Sequence, residues 1–444
     1  MNADDMYDGE VEEAAINLEN WENELELYFD PRKRYERLSR KVNPTIENFL
    51  GKGPRCVEAY STQHYYGQLL AWTVKCITTS PGWEAISHHG YSQANPVFRD
   101  IKIDYTTNES CLVDGMILVK KDGIRLVITV ARVGFIEIEA GQEYHDLVKK
   151  IIKDVADFLK KHNFYRGKNI SFHREISFLH PGEVDWNSVI LDPVMKHEIR
   201  LNTIDFLKNC SRLAKYGIPP KRGIILASEP GLGKTMICKA LISETNEITC
   251  IITSAYGIEL EGYISELFAL AQDLSPSILF IEDIDFIGQE RHGLYRGSPL
   301  LISLLAEMDG IAERSAIVVV ATSNCYEALD KALSERPSRF DRIFKITRPN
   351  AQLRAEMVEH IAEKIPLSGE IKEYIAKATN GMTPAQLQEV IYGMVNSRIN
   401  MGKEEMQFTR SDVDVSIGWI NIKKNGTMRW SPKTGQVVKI EFCS

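Results

Sequence analysis

Two kinds of hydrophobic spacing run through the chain, and they change near residue 184. Before that point helices and strands are mixed. "YYGQLLAWTVKCI" has the spacing of a helix, and "FRDIKIDYT" alternates like a half-buried strand. "MILVKKDGIRLVITV" sets Asp122-Gly123 between two apolar runs, which predicts a tight hairpin. "EYHDLVKKIIKDVADFLKKH" carries apolar residues at a 3.6-residue period and a lysine-rich end, as a helix should. From 184 onward short apolar runs alternate with helical segments: "GIILAS", a helix from Lys234, "ITCIITS", "SILFIED", "AIVVVATSN" and "IFKIT". Apolar strands between helices predict a parallel sheet covered on both faces. After Pro349 the pattern turns helical, and "RWSPKTGQVVKIEF" reads as a hairpin near the end.

The first thirty residues differ again. They hold eleven acids and no Lys or Arg, with Val11, Leu18 and Leu25, and likewise Ala14, Trp21 and Tyr28, recurring every seven residues. That predicts an acidic helix with one apolar seam, followed by the basic "PRKRYERLSRK". Its expected role is docking on its own chain, or else serving as an arm for a partner. The pattern suggests five segments: an arm over 1–50, an α/β domain over 51–183, a larger α/β domain over 184–350, a helical region over 351–415 and a tail over 416–444.

Composition narrows the class. The chain has 444 residues, 44% hydrophobic and 26% charged, so several globular domains are expected. No apolar run approaches the roughly 18 residues of a membrane helix, and the acidic N-terminus has no leader-like apolar stretch. Eight scattered cysteines without a CxxC pair suit a reducing compartment, and a cytoplasmic location is the expectation. His88-His89 reads as a solvated loop pair. A net charge of −8 makes nucleic acid an unlikely partner.

The chemistry concentrates in "LASEPGLGKT", residues 226–235. A phosphate loop points successive backbone N–H groups at phosphate oxygens where a helix begins. Gly231 and Gly233 supply the unusual backbone angles, Lys234 the charge, and Thr235 a hydroxyl for Mg²⁺. Downstream, "SILFIEDID" is an apolar strand ending in acids, "VVVATSN" ends in Asn324, and "ALSERPSRFDR" carries Arg336 and Arg339 three apart.

In that order these motifs resemble the AAA family of P-loop ATPases, over residues about 185 to 410. "YGIPPKRGIILASEPGLGKT" is similar to the lead-in and Walker A segment, and "PSILFIEDIDFIG" to Walker B. "VVVATSN" and "EALDKALSERPSRFDRIFKI" resemble sensor 1 and the second region of homology. The resemblance implies an α/β P-loop domain with a helical lid. It implies ATP and Mg²⁺ as cofactors, and a homo-oligomeric ring, usually a hexamer. Carried over, the nucleotide would be held by Val189, Ile190, Pro230, Gly231, Leu232, Gly233, Lys234, Thr235 and Met236. Thr235 and Glu282 would hold Mg²⁺, and Asp283 would orient and deprotonate the attacking water. Asn324 would position that water or the γ-phosphate. Arg336 and Arg339 would act as arginine fingers on a neighbour's ATP. "GMTPA", residues 381–385, falls in the sensor 2 region, where Thr383, Pro384 and Ala385 would offer packing and backbone contact.

Three departures stand out. Ser228 replaces the first glycine of the loop, next to Glu229, whose charge is expected to point to solvent. The Walker B pair reads Glu282-Asp283 where the family has Asp-Glu, an order also found in the Bcs1-type branch. The pore segment is short; Tyr256 and Tyr263 are its candidate client contacts, or else both merely pack. No HExxH follows the ATPase segment. The expected function is ATP-driven remodelling of a protein client; the alternatives are an ATP-gated assembly scaffold with slow turnover, or a DNA-handling ATPase.

Overall fold

The structure is a computed structural model. It describes residues 44–90, 95–132, 134–173, 175–180, 182, 184–245, 247–255, 261–285, 299–311, 315–325, 340–400, 407–425, 428–431 and 436–439. The acidic arm lies outside the described residues. The chain forms two compact units. The first runs to Tyr165 and takes in Arg174–Phe178; the second comprises Arg166–His173 and everything from Leu179.

The first unit is built on an antiparallel sheet of order β1-β6-β5-β4-β2, with β3 added to β4. Its strands are β1 (Arg55–Ser61), β2 (Trp83–His89), β3 (Val97–Lys102), β4 (Asn108–Lys121), β5 (Ile124–Ala131) and β6 (Phe135–Gly141). β4 and β5 pair Lys121 with Ile124, so Asp122 and Gly123 alone make the turn. Their φ values of 50° and 87° are the left-handed pair that matches strand twist. Helix α1 (Pro44–Leu50) seats Ile46, Phe49 and Leu50 against Met116, Leu118 and Val127 of the sheet. Residues 44–50 are thus part of this unit's packing rather than of a free arm. Helix α2 (Gly67–Thr78) and helix α3 (His145–Lys161) supply buried Leu69, Leu70, Val148 and Ile151. His88 and His89 lie in edge strand β2, not in a loop. His88 meets the ring of Phe98 at 5.2 Å, and His89 shares a 2.8 Å hydrogen bond with Ser87.

The second unit contains a parallel sheet of order β13-β9-β12-β11-β10-β7. These strands are β7 (Asn169–His173), β9 (Lys221–Ala227), β10 (Thr249–Ser254), β11 (Ser277–Glu282), β12 (Ile317–Ser323) and β13 (Arg342–Lys345); β8 (Glu175–Phe178) belongs to the first unit. Every residue of β12 is buried, which explains why it reads as a continuous apolar run without alternation. The intervening helices are α4 (Pro193–Leu201), α5 (Ile204–Ala214), α6 (Lys234–Ser243), α7 (Glu261–Asp273) and α8 (Pro299–Gly310).

Four helices then form a lid: α9 (Ala351–Ile361), α10 (Gly369–Ala378), α11 (Pro384–Asn400) and α12 (Arg410–Asn425). Their core includes Val358, Ile375, Val390, Ile391 and, from α12, Val413 and Ile420. The lid therefore continues past residue 415. Beyond it, β14 (Met428–Ser431) and β15 (Gln436–Lys439) pair antiparallel as a short hairpin. No helix among the described residues is long and apolar enough to cross a membrane.

Candidate nucleotide site

Three neighbouring strands bring the chemistry together. β9 lies beside β12, and β12 beside β11, all parallel. Their carboxyl ends open on one side of the sheet, where ligands bind in such folds. Leaving β9 at Ala227, the chain turns through residues 228–233 and enters α6. Gly231 and Gly233 have φ values of 82° and 92°, and Gly233 is the N-cap of that helix. Only glycine holds such angles without strain. The site of Gly231 is also sterically tight: a Cβ there would sit 3.1 Å from the Thr383 hydroxyl and 3.2 Å from Ala385.

The loop's serine is accommodated. Ser228 is not among the residues of positive φ. Its N–H donates to the Ser323 carbonyl at 3.1 Å, extending the β9–β12 ladder by one residue. Its hydroxyl donates to the Glu229 carbonyl at 2.8 Å and accepts from Lys234 at 2.8 Å.

Lys234 is 7% exposed, and its ammonium faces neutral acceptors. It donates to the Ser228 carbonyl at 3.0 Å and to Asn324 Oδ1 at 2.7 Å. Burial pushes its pKa down, with the charges of Asp283 and Asp285 pulling the other way. The Asn324 amide turns its other end to Asp283, donating to Oδ1 at 2.7 Å. One side chain thus ties the lysine of the loop to the second acid of the β11 end. Asp283 itself has a left-handed φ of 54°, and its N–H is held by the Thr322 hydroxyl at 3.0 Å. Beside it Glu282 is half-buried. Burial and then the Asp283 charge raise its pKa, and Lys239 opposes them.

Asp285, which lies in the Walker B-like segment but was assigned no role there, anchors this network. It is 6% exposed, accepts from the Asn324 N–H at 2.7 Å and from the Ser323 hydroxyl, and so fixes the end of β12. A third acid, two residues after Asp283 and flanked by Ile284 and Phe286, was the available signal.

Glu229 points to solvent and away from the cavity, as expected, but it is paired. Arg348 grips its carboxylate through Nη2 at 2.5 Å and Nε at 3.2 Å, and donates from Nη1 to the Gly381 carbonyl of the lid at 2.6 Å. A second tie joins loop to lid, where the Ala385 N–H donates to the Gly231 carbonyl at 3.2 Å. Thr383 and Gln386 cap the start of α11 reciprocally, side chain to backbone in both directions.

These groups surround one cavity of about 980 Å³, lined by Pro230 through Ile237, Glu282, Asp283, Asn324, Val189, Ile190 and Arg348. Its character fits a nucleoside triphosphate with a divalent cation. A glycine nest at a helix start offers backbone N–H groups, and Lys234 makes no ion pair among the described residues. Thr235, Glu282 and Asp283 contribute the hard oxygen donors that Mg²⁺ takes. Tyr263, by contrast, packs inside the unit. It is 6% exposed, its hydroxyl donates to the Phe172 carbonyl at 2.5 Å, and its ring stacks on Phe172 at 5.0 Å. Tyr256, Arg336 and Arg339 lie outside the described residues.

The profile of the family described as "ATPase family associated with various cellular activities (AAA)" matches residues 224–348, the span from β9 to Arg348. Residues 224–348 carry an AAA domain. Among curated relatives, the AAA region is 32% identical over 230 residues to a proteasome-activating nucleotidase of Saccharolobus solfataricus, covering 49% of this chain and 58% of that protein. It is 34% identical over 224 residues to the ATP-dependent zinc metalloprotease FtsH 2 of Sphaerobacter thermophilus, covering 48% of this chain and 34% of that one. The FtsH of Mycoplasma genitalium is 37% identical over 208 residues, with coverage of 44% and 29%. The matched region thus spans only part of each of these relatives, and the AAA domain is what they share.

Proposed function

We propose that this chain hydrolyses ATP as an oligomeric ring, a hexamer by family resemblance, and uses the turnover to remodel a protein client. The observation that carries the reading is the line Lys234–Asn324–Asp283, which runs from the phosphate loop to the acid best placed to act on water. The relatives' names, a nucleotidase and ATP-dependent proteases, lie in the same direction.

In this reading the backbone N–H groups of Gly231, Leu232 and Gly233 hold the phosphates. Lys234 exchanges its neutral acceptors for phosphate oxygens. Thr235 and Glu282 hold Mg²⁺, which when bound neutralises phosphate charge and polarises the terminal group. Asp283 accepts the proton of the attacking water on its carboxylate, oriented by the Asn324 amide. Val189 and Ile190 face the base. Arg336 and Arg339 complete the site of a neighbouring subunit.

A second reading keeps nucleotide binding but makes turnover slow, so that ATP sets the state of a scaffold. The shortness of the Asp283 side chain, one methylene less than glutamate, favours it. One experiment separates the two: ATP hydrolysis per subunit over a hundredfold range of protein concentration. Remodelling in trans predicts a rate that rises with assembly and disappears in Asp283→Asn while ATP still binds. No measurable rate at any concentration, with binding intact, selects the scaffold.

A further inference from the structure

The segment facing the base is held by a lysine that belongs to no nucleotide motif. Asp185 caps a short helical turn over Trp186–Ser188, accepting from the Asn187 N–H at 3.0 Å. The Val189 N–H returns to the Trp186 carbonyl at 3.2 Å. From there the two next side chains part company. Val189 packs in the core beneath the sheet's nucleotide side, and Ile190 packs against the lid core. A segment leaning on two cores needs something to fix its backbone.

Lys196 does this from α4. Its ammonium donates to the Val189 carbonyl at 2.7 Å and to the Asn187 carbonyl at 3.4 Å, and lies 5.7 Å from the centroid of the Trp186 ring. Asp192 secures the start of α4 by accepting from the Val194 and Met195 N–H groups at 3.0 Å. A trans peptide is planar, with its C=O and N–H opposed. Pinning the Val189 carbonyl toward Lys196 therefore turns the Ile190 N–H away from α4. The Ile190 N–H and carbonyl have no partner among the described residues, and Ile190 lines the cavity.

We infer that Lys196 is a positioning residue for base recognition: by holding the Val189–Ile190 peptide, it presents the Ile190 N–H, beside the Ile190 carbonyl of the next peptide, to the base edge. A 6-aminopurine offers an acceptor at N1 beside a donor at the 6-amino group, which matches. A 6-oxopurine offers the reverse and meets the Ile190 N–H with its own N1–H. The inference rests on the nucleotide reading of the cavity and assigns the discrimination within it to Lys196.

The test is equilibrium anisotropy with N-methylanthraniloyl derivatives of ATP and of inosine triphosphate, in excess EDTA so that no turnover contributes. Wild type binds the ATP derivative at least tenfold more tightly. Lys196→Met loses about tenfold in ATP affinity and little in inosine triphosphate affinity, the worth of about one well-placed hydrogen bond, so the ratio falls to within threefold. Lys196→Arg, which still donates to both carbonyls, keeps the wild-type ratio. A purely structural lysine would weaken both nucleotides equally or only lower the melting temperature, and either result in Lys196→Met overturns the inference. If that variant does not fold, the same ratio in Lys196→Gln decides. Wild type binding neither nucleotide would sink the nucleotide reading itself, whereas equal binding of both would sink only the role of Lys196.

Discussion

Arg348 decides what the charge of Glu229 does. Glu229 precedes the phosphate loop's proline, yet it is absent from the cavity lining while Arg348 is part of it. With its carboxylate held by Arg348, the negative charge stays outside the cavity and is neutralised nearby. The pair is partly exposed, so its own stability contribution is at most about 1 kcal/mol. Its effect on a bound anion is larger in consequence. Arg348→Ala should weaken ATP binding about fivefold, and adding Glu229→Gln to that variant should restore most of the loss; titration of a fluorescent ATP analogue reads both. Equal losses in the single and double variants would mean that Arg348 contacts nucleotide directly. Asp285→Asn tests the buried anchor at the same scale. It swaps a carboxylate acceptor for an amide facing the Asn324 N–H, and should lower steady-state turnover on the order of tenfold while leaving the dissociation constant for ATP within about twofold. The loop residues were legible because their spacing is local and their chemistry is contiguous. Arg348 and Asp285 were not, because their partners lie 119 and 39 residues away in the chain.

Elements were legible where their signal is local. Asp122-Gly123 forms the hairpin turn because both residues tolerate positive φ, and the flanking runs alternate accordingly. His88-His89 was misread for the opposite reason: polarity in a short window says nothing about which neighbour a strand or helix will find. The lid shows what an element gains from a distant partner. Thr409 and Asp412 cap the start of α12 reciprocally, and Arg398 of α11 donates to the Asp412 carboxylate. Burial alone would raise the pKa of Asp412, but the bonds from Arg398 and Thr409 bring it down to about 2. A carboxyl depressed from an unfolded value near 3.9 contributes stability that is complete above that value and is lost as pH falls through about 2. Asp412→Asn should therefore destabilise the lid by about 2 kcal/mol at neutral pH. The gap from wild type should close on acidification from about pH 4 to pH 2, as followed by amide hydrogen exchange in α12. A gap that stays constant with pH would place the cause in helix capping alone.

For the whole molecule, the order of the sheet matters more than the order of the sequence. A domain boundary drawn at residue 183 leaves Asn169–His173 with the preceding domain, whereas β7 pairs with β10 of the second unit. Nothing in a short apolar strand announces which sheet it will join. A fragment beginning at Arg166 should consequently be more stable than one beginning at residue 184. The shorter one loses the buried Ile170 and Phe172 side chains and uncovers Tyr263, a difference of about 4 kcal/mol in urea unfolding. Equal midpoints would show that β7 contributes nothing to the sheet.

The same crossing of the chain has a consequence in time. During synthesis β7 leaves the ribosome long before the strand it must pair with: roughly 75 residues separate His173 from Thr249. At about 5–20 residues per second, the first unit has all of its strands for some 4–15 s while β7 still lacks its partner β10. An apolar strand with an open edge is what holding chaperones bind and what nascent chains aggregate through. A chain proposed here to act on other proteins thus passes, each time it is made, through a stage at which it is itself a client.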